Sequence, residues 1–600
     1  MAKCYDNYSR EELIKLLQKQ DEELSIKKYG LTWDSEKEPE KVVLDCENNL
    51  PILQRVADKE IKTDDSDYNL LIEGDNYHAL TVLNYTHKEK IDVIYIDPPY
   101  NTGNKDFIYN DSYVDKEDGY RHSKWLNFME KRLNLAKNLL NENGVIFISI
   151  DDNEQANLKL ICDKIFGENN KIGILPTIMN LKGNQDEFGF AGTHEYTFVY
   201  AKDKNNATIN EFQIEDDALK GWQEDEIGFY KKGATLKRTG NDAPRARRPY
   251  GYFPILVKKD TFRVCSILKE EYEKIYDRQN NAFDDIFVEQ LKLKYENEFF
   301  FILPEIDRTK VSWRWQYRKV KDEANEIIVT NGRDGITLYK KQRPEIGDLP
   351  TKKPKSLLYK AVYSSGNGTN RLKLLFGEKK FNNPKPVELI KDLIFLGGDK
   401  NITILDFTAG SGTTADAIIQ LNKEDSGKRK FILCTNNENQ ICTEVCYPRI
   451  EKVINGYNKN GNGEFIEGLG GNLQYYKTDL IPVEKIDKIK DSKRQELTSK
   501  AGEMIAIKEN CFNQVELNNY YQIFENNTKN KQAVIYFRED LSKFDELINK
   551  IGNIKTTLYI FSYGRIDKKI YNYLNDNIAI EDIPEPIIEI YKEINLTLKD

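Results

Sequence analysis

The run IDVIYIDPPYNTG, residues 91–103, restricts the fold more than any other stretch of the chain. Ile91, Val93, Ile94, Tyr95 and Ile96 read as a buried strand, and it ends abruptly in Asp97, Pro98, Pro99 and Tyr100. Proline has no N–H to give to a ladder, so a central strand must stop there and the chain must leave the sheet. The prolines fix the backbone after Asp97. They hold two acceptors, the Asp97 carboxylate and the Pro98 carbonyl, in one rigid corner beside the flat ring of Tyr100. Such a corner matches a planar heterocycle bearing an exocyclic amino group, which donates two hydrogen bonds while its ring stacks. The alternative is a strand-end turn with a solvated aspartate.

The flanking sequence alternates strand and helix. YNLLIEGD (68–75) is a strand, NYHALTVLNYTH a short helix, and residues 123–141 a longer helix stopped by Gly144. GVIFISIDD is a further buried strand. Near-continuous apolar strands separated by helices imply a parallel sheet covered on both faces. The rhythm breaks after residue 204 and returns at about 383, where NPKPVELIKDLIFLGG predicts a helix opened by proline and closed by glycine. Ahead of the sheet, residues 8–28 predict a helix with a Ser9–Glu12 capping box and Leu13, Leu16 and Leu17 on one face.

The second informative stretch is LDFTAGSGTT, 405–414. Gly410 and Gly412 permit a tight turn and close backbone approach to a ligand, and Thr413 opens a helix whose N-terminus is electropositive. Such a loop after a parallel strand is a cofactor cradle, or an ordinary strand-to-helix turn. It is neither GxGxxG nor a P-loop, which disfavours dinucleotides and ATP. The next strand ends in an acid, Glu438, and a carboxylate there can accept both hydroxyls of a ribose.

Composition is that of a globular protein, 39% hydrophobic and 31% charged, and no stretch of about 18 apolar residues predicts a membrane span. No secretory signal is visible at the N-terminus. Eight scattered cysteines and four histidines predict reduced thiols in a cytoplasmic protein and no metal centre. The net charge of −9 does not advertise nucleic-acid binding, which needs only a local basic patch. One candidate spans Lys231–Lys259, with nine Lys or Arg and a single acid, Asp242. There Arg238, Arg245, Arg247 and Arg248 with Tyr250 suit phosphate and base-edge contacts, and Trp313, Arg314 and Trp315 of WRWQYRK add aromatics and a cation. The alternative is a solvated basic face.

DPPYNTG followed by DFTAGSGTT, with a large segment between, resembles the beta-class amino-methylating DNA methyltransferases, and among them the modification subunits of Type III restriction–modification systems. KYGLTWD (28–34), LIEGDN (71–76), GTHEYTFVYAKD (192–203), RRPYGYFPI (247–255) and NPKPVELI (383–390) support the resemblance, which covers residues 28–480 or so. It implies a Rossmann-like α/β fold of the S-adenosylmethionine-dependent methyltransferases, with a mostly parallel sheet and permuted motif order. It also implies an N-terminal helical region over 1–45 with a possible dimerisation role, a methyltransferase domain in two parts (46–204 and 351–484), a target-recognition insert (205–350) and a C-terminal domain (485–600).

The resemblance further implies that Asp406, Phe407, Thr408, Ala409, Gly410, Ser411, Gly412 and Thr413 surround the methionine part of S-adenosylmethionine. Glu438 would take its ribose. Asp75 would sit near its adenine, or serve only as a helix N-cap. Lys385 and Pro386 would lie near its carboxylate, with Lys385 alternatively a solvated lysine at a helix start. Asp97, Pro98, Pro99 and Tyr100 would be catalytic, acting on adenine N6, with Phe107 and Tyr109 enclosing the base or merely packing. The implied partners are double-stranded DNA, a second copy of the chain and a separate helicase–nuclease restriction subunit. Two alternatives stand beside this: a methyltransferase acting alone or in another restriction class, and a catalytically silent DNA-recognition subunit.

Overall fold

The short apolar runs at the centre become strands that are buried on both sides. In the computed structural model they join one nine-stranded sheet. The structure describes residues 33, 39–180, 182–183, 189–213, 222–332, 335–343, 351–459, 463–486 and 488–597. The helix expected over 8–28 lies outside them. Two units emerge: Met1–Asn210 with Lys355–Asp600, and Glu211–Pro354.

The strands of the large sheet are β1 (Asn49–Arg55), β2 (Tyr68–Glu73), β3 (Ile91–Ile96), β4 (Leu140–Ile150), β5 (Lys171–Ile178), β6 (His194–Ala201), β7 (Thr403–Asp406), β8 (Lys430–Thr435) and β9 (Asn472–Pro482). Their order in space is β1-β9-β2-β8-β7-β3-β4-β6-β5. From β9 to β4 every pairing is parallel. Strands β1, β6 and β5 add antiparallel edges. The mostly parallel α/β sheet expected from the alternating pattern is thus observed.

Helices α1 (Asn76–Thr86) and α2 (Arg121–Leu139) pack together on one face. Ile94 and Ile96 of β3 point into the core beneath them. Val93 meets the other face, where α3 (Val387–Gly397) packs against β3 and against α4 (Thr413–Asp425). The glycine at 144 does not end a helix. Helix α2 stops at Leu139 and β4 begins at once, with the register slipping between the Leu140–Ile91 and Val145–Val93 pairs. Gly144 sits in that slip, where a β-carbon would come 2.9 Å from the Leu140 side chain.

The C-terminal segment builds its own five-stranded sheet over residues 513–583. Its helices Gly502–Glu509 and Glu585–Thr597 pack on α1, and Tyr591 donates a hydrogen bond of 2.6 Å to the Pro51 carbonyl. Its core is therefore continuous with that under the large sheet. In the second unit, strands Trp222–Asp225, Gly228–Thr235, Gly335–Gln342 and Ile327–Gly332 form one antiparallel sheet, and Val264–Ser266, Ile255–Lys258 and Phe299–Ile302 another. Trp313 lies in its core, with the indole N–H donating to the Phe253 carbonyl at 2.7 Å.

Candidate active site

Strands β3 and β7 are parallel neighbours in register, Ile94 opposite Leu405, so their carboxyl ends open on the same edge of the sheet. In open α/β sheets that edge is where ligands bind. The diproline corner follows β3 and the glycine turn follows β7. They touch: the Asp97 backbone N–H donates to Thr408 Oγ1 at 3.0 Å. Trp125 of α2 braces the corner from beneath, donating to the Pro99 carbonyl at 2.7 Å.

Asp97 carries its carboxylate into a partly enclosed space. Oδ1 is buried, with Lys385 Nζ 3.0 Å away as an ion pair. Burial pushes the Asp97 carboxyl up; Lys385 opposes that and a second carboxylate, Glu195 of β6, adds to it. Lys385 donates to the Tyr100 hydroxyl at 2.8 Å and sits 3.2 Å from Glu195 Oε2. Tyr100 in turn donates to Glu195 Oε2 at 3.0 Å. Burial alone would discharge Lys385, but the two carboxylates hold its ammonium above the usual lysine range.

The glycine turn is held from within. Asp406 Oδ1 accepts from the Thr408 N–H at 3.0 Å and Oδ2 from the Thr414 hydroxyl at 2.5 Å, and burial pushes its carboxyl up to about 7. Asp406 therefore braces its own loop. Gly410 (φ +49°) and Gly412 (φ +75°) are left-handed, and a β-carbon on Gly412 would stand 3.0 Å from Cys446 Sγ. The buried Arg449, on helix α5 (Tyr447–Asn455), donates to Thr413 Oγ1 at 2.8 Å and pairs with Asp416 of α4 at 2.9 Å. Phe407 is buried, and its carbonyl accepts from Asn76 Nδ2 at 3.1 Å. Ala409 donates its N–H to the Cys434 carbonyl at 3.0 Å, and Ser411 is buried beside Arg449.

Asp75 is the N-cap of α1, accepting from the Tyr77 N–H at 2.7 Å, with Arg132 Nη2 at 3.4 Å. Its side chain remains partly exposed, near enough to Glu438 that, with burial, it raises the Glu438 carboxyl. Glu438 is exposed just beyond β8. Pro386 is the N-cap of α3. Phe107 and Tyr109 are buried, Phe107 packing edge-on against Phe128 and Tyr109 accepting from Asn127.

Within the second unit the basic residues divide. Arg245 forms a fork with Asp285 at 2.6 and 2.8 Å and stacks on Phe283, and Trp313 is core. Trp315 packs against that core. Arg238 donates its backbone N–H to the Ser312 carbonyl. Arg247, Arg248 and Tyr250 are exposed or nearly so, the two arginines only loosely facing Asp242 at 3.4 and 3.8 Å. Arg314 donates to the Lys237 carbonyl and to Thr239, each at 3.2 Å.

Several contributors leave little or no mark in the sequence. Glu195 lies inside GTHEYTFVYAKD, where an acid opening an apolar strand is the available signal. Asp416, Arg449, Arg132 and its fork partner Glu40 give none, because a buried ion pair leaves no trace in periodicity.

A DNA methylase family model matches residues 91–446. The EcoPI Mod subunit of a Type III restriction–modification enzyme, from Escherichia phage P1, is 40% identical over 464 residues, covering 72% of this chain and 68% of that one. The StyLTI Mod subunit from Salmonella typhimurium is 30% identical over 466 residues, 71% of this chain, and this chain spans 60% of its length. The Type II methyltransferase M.KpnI of Klebsiella pneumoniae is 31% identical over 392 residues, 65% of this chain and 85% of that one. With the family model covering more than half of its residues and the EcoPI Mod subunit matching over two thirds of its own length, this chain belongs to the DNA methylase family, alongside the modification subunits of Type III restriction–modification enzymes.

Proposed function

We propose that the chain methylates N6 of adenine in duplex DNA, using S-adenosylmethionine, as the modification and recognition subunit of a Type III restriction–modification system. The observation that carries this reading is the hydrogen bond from Asp97 to Thr408, which joins the acceptor corner to the glycine turn. The residues fit the methyl donor. The turn is left-handed at both glycines, as close backbone approach requires, and Asp75 and Glu438 supply acids beside it for a cationic, hydroxyl-bearing ligand. When bound, the donor supplies an electrophilic methyl group on a sulfonium sulfur.

The chain's own groups do the rest. Asp97, its carboxylate paired with Lys385, accepts one N–H of the target amine, and the Pro98 carbonyl accepts the other. Those bonds favour a pyramidal nitrogen and free a lone pair otherwise delocalised into the ring. Tyr100 stacks on the base, offsetting part of the few kcal/mol that flipping it from the duplex costs. Rate then comes from alignment and fixed dipoles. Phe407 and Ser411–Thr413 hold the donor through a turn that Asp406 and Arg449 keep in shape.

The unit Glu211–Pro354 reads the target sequence in this proposal, and its exposed Arg247 and Arg248 hold the DNA by its phosphates, with Tyr250 and Arg314 exposed as well. Replacing Arg247 and Arg248 together by alanine should weaken binding evenly across DNA sequences. It should also flatten the plot of log affinity against log salt by about 0.9 for each phosphate no longer neutralised, measured by fluorescence anisotropy. The chain acts as a homodimer and pairs with a helicase–nuclease subunit encoded by a neighbouring reading frame. The likeness to M.KpnI, most of whose length is covered, favours a second reading in which the enzyme works without that partner.

The test is a tritiated-methyl assay on duplex DNA, RNA and protein, with nucleoside analysis of the labelled DNA. N6-methyladenine in duplex DNA is the expected product. Label in cytosine, in RNA or in protein overturns the specificity, and no label at all supports a silent recognition subunit.

A further inference from the structure

Four side chains from three separate elements meet around the acceptor corner: Asp97 and Tyr100 after β3, Glu195 on β6 and Lys385 ahead of α3. One cation faces two anions. Lys385 is 10% exposed, Asp97 28% and Glu195 26%, so water screens these charges weakly. A buried carboxylate beside a second carboxylate would take up a proton unless a cation opposed it. A cation paired with Asp97 alone would instead donate into its free lone pair and cap it.

The observed geometry divides the cation between the two acids. The ammonium lies 3.0 Å from Asp97 Oδ1 and also donates to the Tyr100 hydroxyl at 2.8 Å, so Asp97 does not hold it alone. Glu195 Oε2 lies 3.2 Å from the ammonium and receives the Tyr100 hydroxyl at 3.0 Å. We propose that Lys385 and Glu195 are an opposed pair of positioning residues: the lysine keeps Asp97 an anion, and the glutamate shares the lysine so that its charge is not spent on Asp97 alone. The acid then meets the target amine charged. This rests on the reading of Asp97 as the amine's acceptor. The other titratable groups felt at the corner are Tyr95 of β3, Tyr100 itself, Asp406 at the end of β7 and Asp151 just after β4, which faces Glu195.

The test is the pH dependence of kcat/KM on a short duplex for wild type, Lys385→Met and Glu195→Gln, with cofactor affinity by calorimetry and melting curves to check folding. Activity falls as pH drops through the Asp97 titration, because only the carboxylate accepts from the amine. Removing the cation should move that acid limb up by about one pH unit or more, and removing the second anion should move it down. Lys385→Arg should restore the limb that Lys385→Met displaces. Folded variants that lose rate with the limb in place overturn the proposal, as does a Lys385→Met variant whose sole defect is cofactor affinity. Asp97→Ala in the same assay separates the two levels. If it methylates at the wild-type rate, the acceptor reading itself fails; if it is inactive while neither limb moves, only the opposed pair fails.

Discussion

Asp97→Ala should lower the rate of methyl transfer by at least about 100-fold while leaving cofactor affinity within a few-fold of wild type. The separation follows from which atoms do what. In the proposed mechanism the Asp97 carboxylate faces the amine, whereas its link to the glycine turn runs through the backbone N–H to Thr408, and alanine keeps that N–H. Initial rates of tritium incorporation together with calorimetric titration of S-adenosylmethionine check it. A wild-type rate would remove Asp97 from the chemistry. A lost cofactor site would show that the carboxylate, and not the backbone, ties the two loops together. Asp97→Asn preserves shape and one acceptor oxygen but not the charge, so it should fall between alanine and wild type.

Arg449→Ala should be the most damaging change to stability among the residues of the site. Arg449 and Asp416 are both fully buried, and removing the arginine leaves a buried anion with one cation, Arg371, and the Gln420 amide to answer it. Breaking a buried pair in this way costs about 3–5 kcal/mol. Burial alone would raise the Asp416 carboxyl; the two guanidiniums overcome that and hold it at about 2. A carboxyl depressed in the folded state stabilises fully above its unfolded value and loses that contribution as pH falls through its folded one. The contribution of Asp416 should therefore be complete at neutral pH and fade only toward about pH 2. Arg449→Ala should remove most of it, seen as a lower urea midpoint at pH 7 with little further loss at pH 4. Because Arg449 also grips Thr413, the variant should bind S-adenosylmethionine more weakly even where it remains folded.

The parallel sheet and the two loops at its edge were legible because they rest on local rules. Six-residue apolar runs, a diproline stop and a glycine turn ahead of a helix each declare themselves within about ten residues. What was not legible depends on pairs far apart in the chain. Lys385 reads as a lysine at a helix start until Glu195 and Asp97 arrive from two other strands. Asp406 reads as a ligand-facing acid in its motif, yet its oxygens are committed to Thr408 and Thr414. Trp313 and Arg245 sit in a stretch rich in cations and aromatics, and their commitment to Phe253 and Asp285 becomes visible once the second unit is folded. The N-cap role of Asp75 was foreseeable from its place before NYHAL, and Gly144 was misread because a bulge and a helix stop use the same residue type.

The strand order carries a consequence for how the enzyme is made. β2 and β3 are close in sequence, yet two strands that the ribosome delivers more than 300 residues later, β7 and β8, lie between them. Until those arrive, the nascent first half exposes raw parallel edges, the kind of surface that invites mispairing. Pairings across so long a span are slow to form. A fragment ending after the second unit would carry the proline corner but no partner for it, so catalytic competence belongs to the finished polypeptide and to neither half.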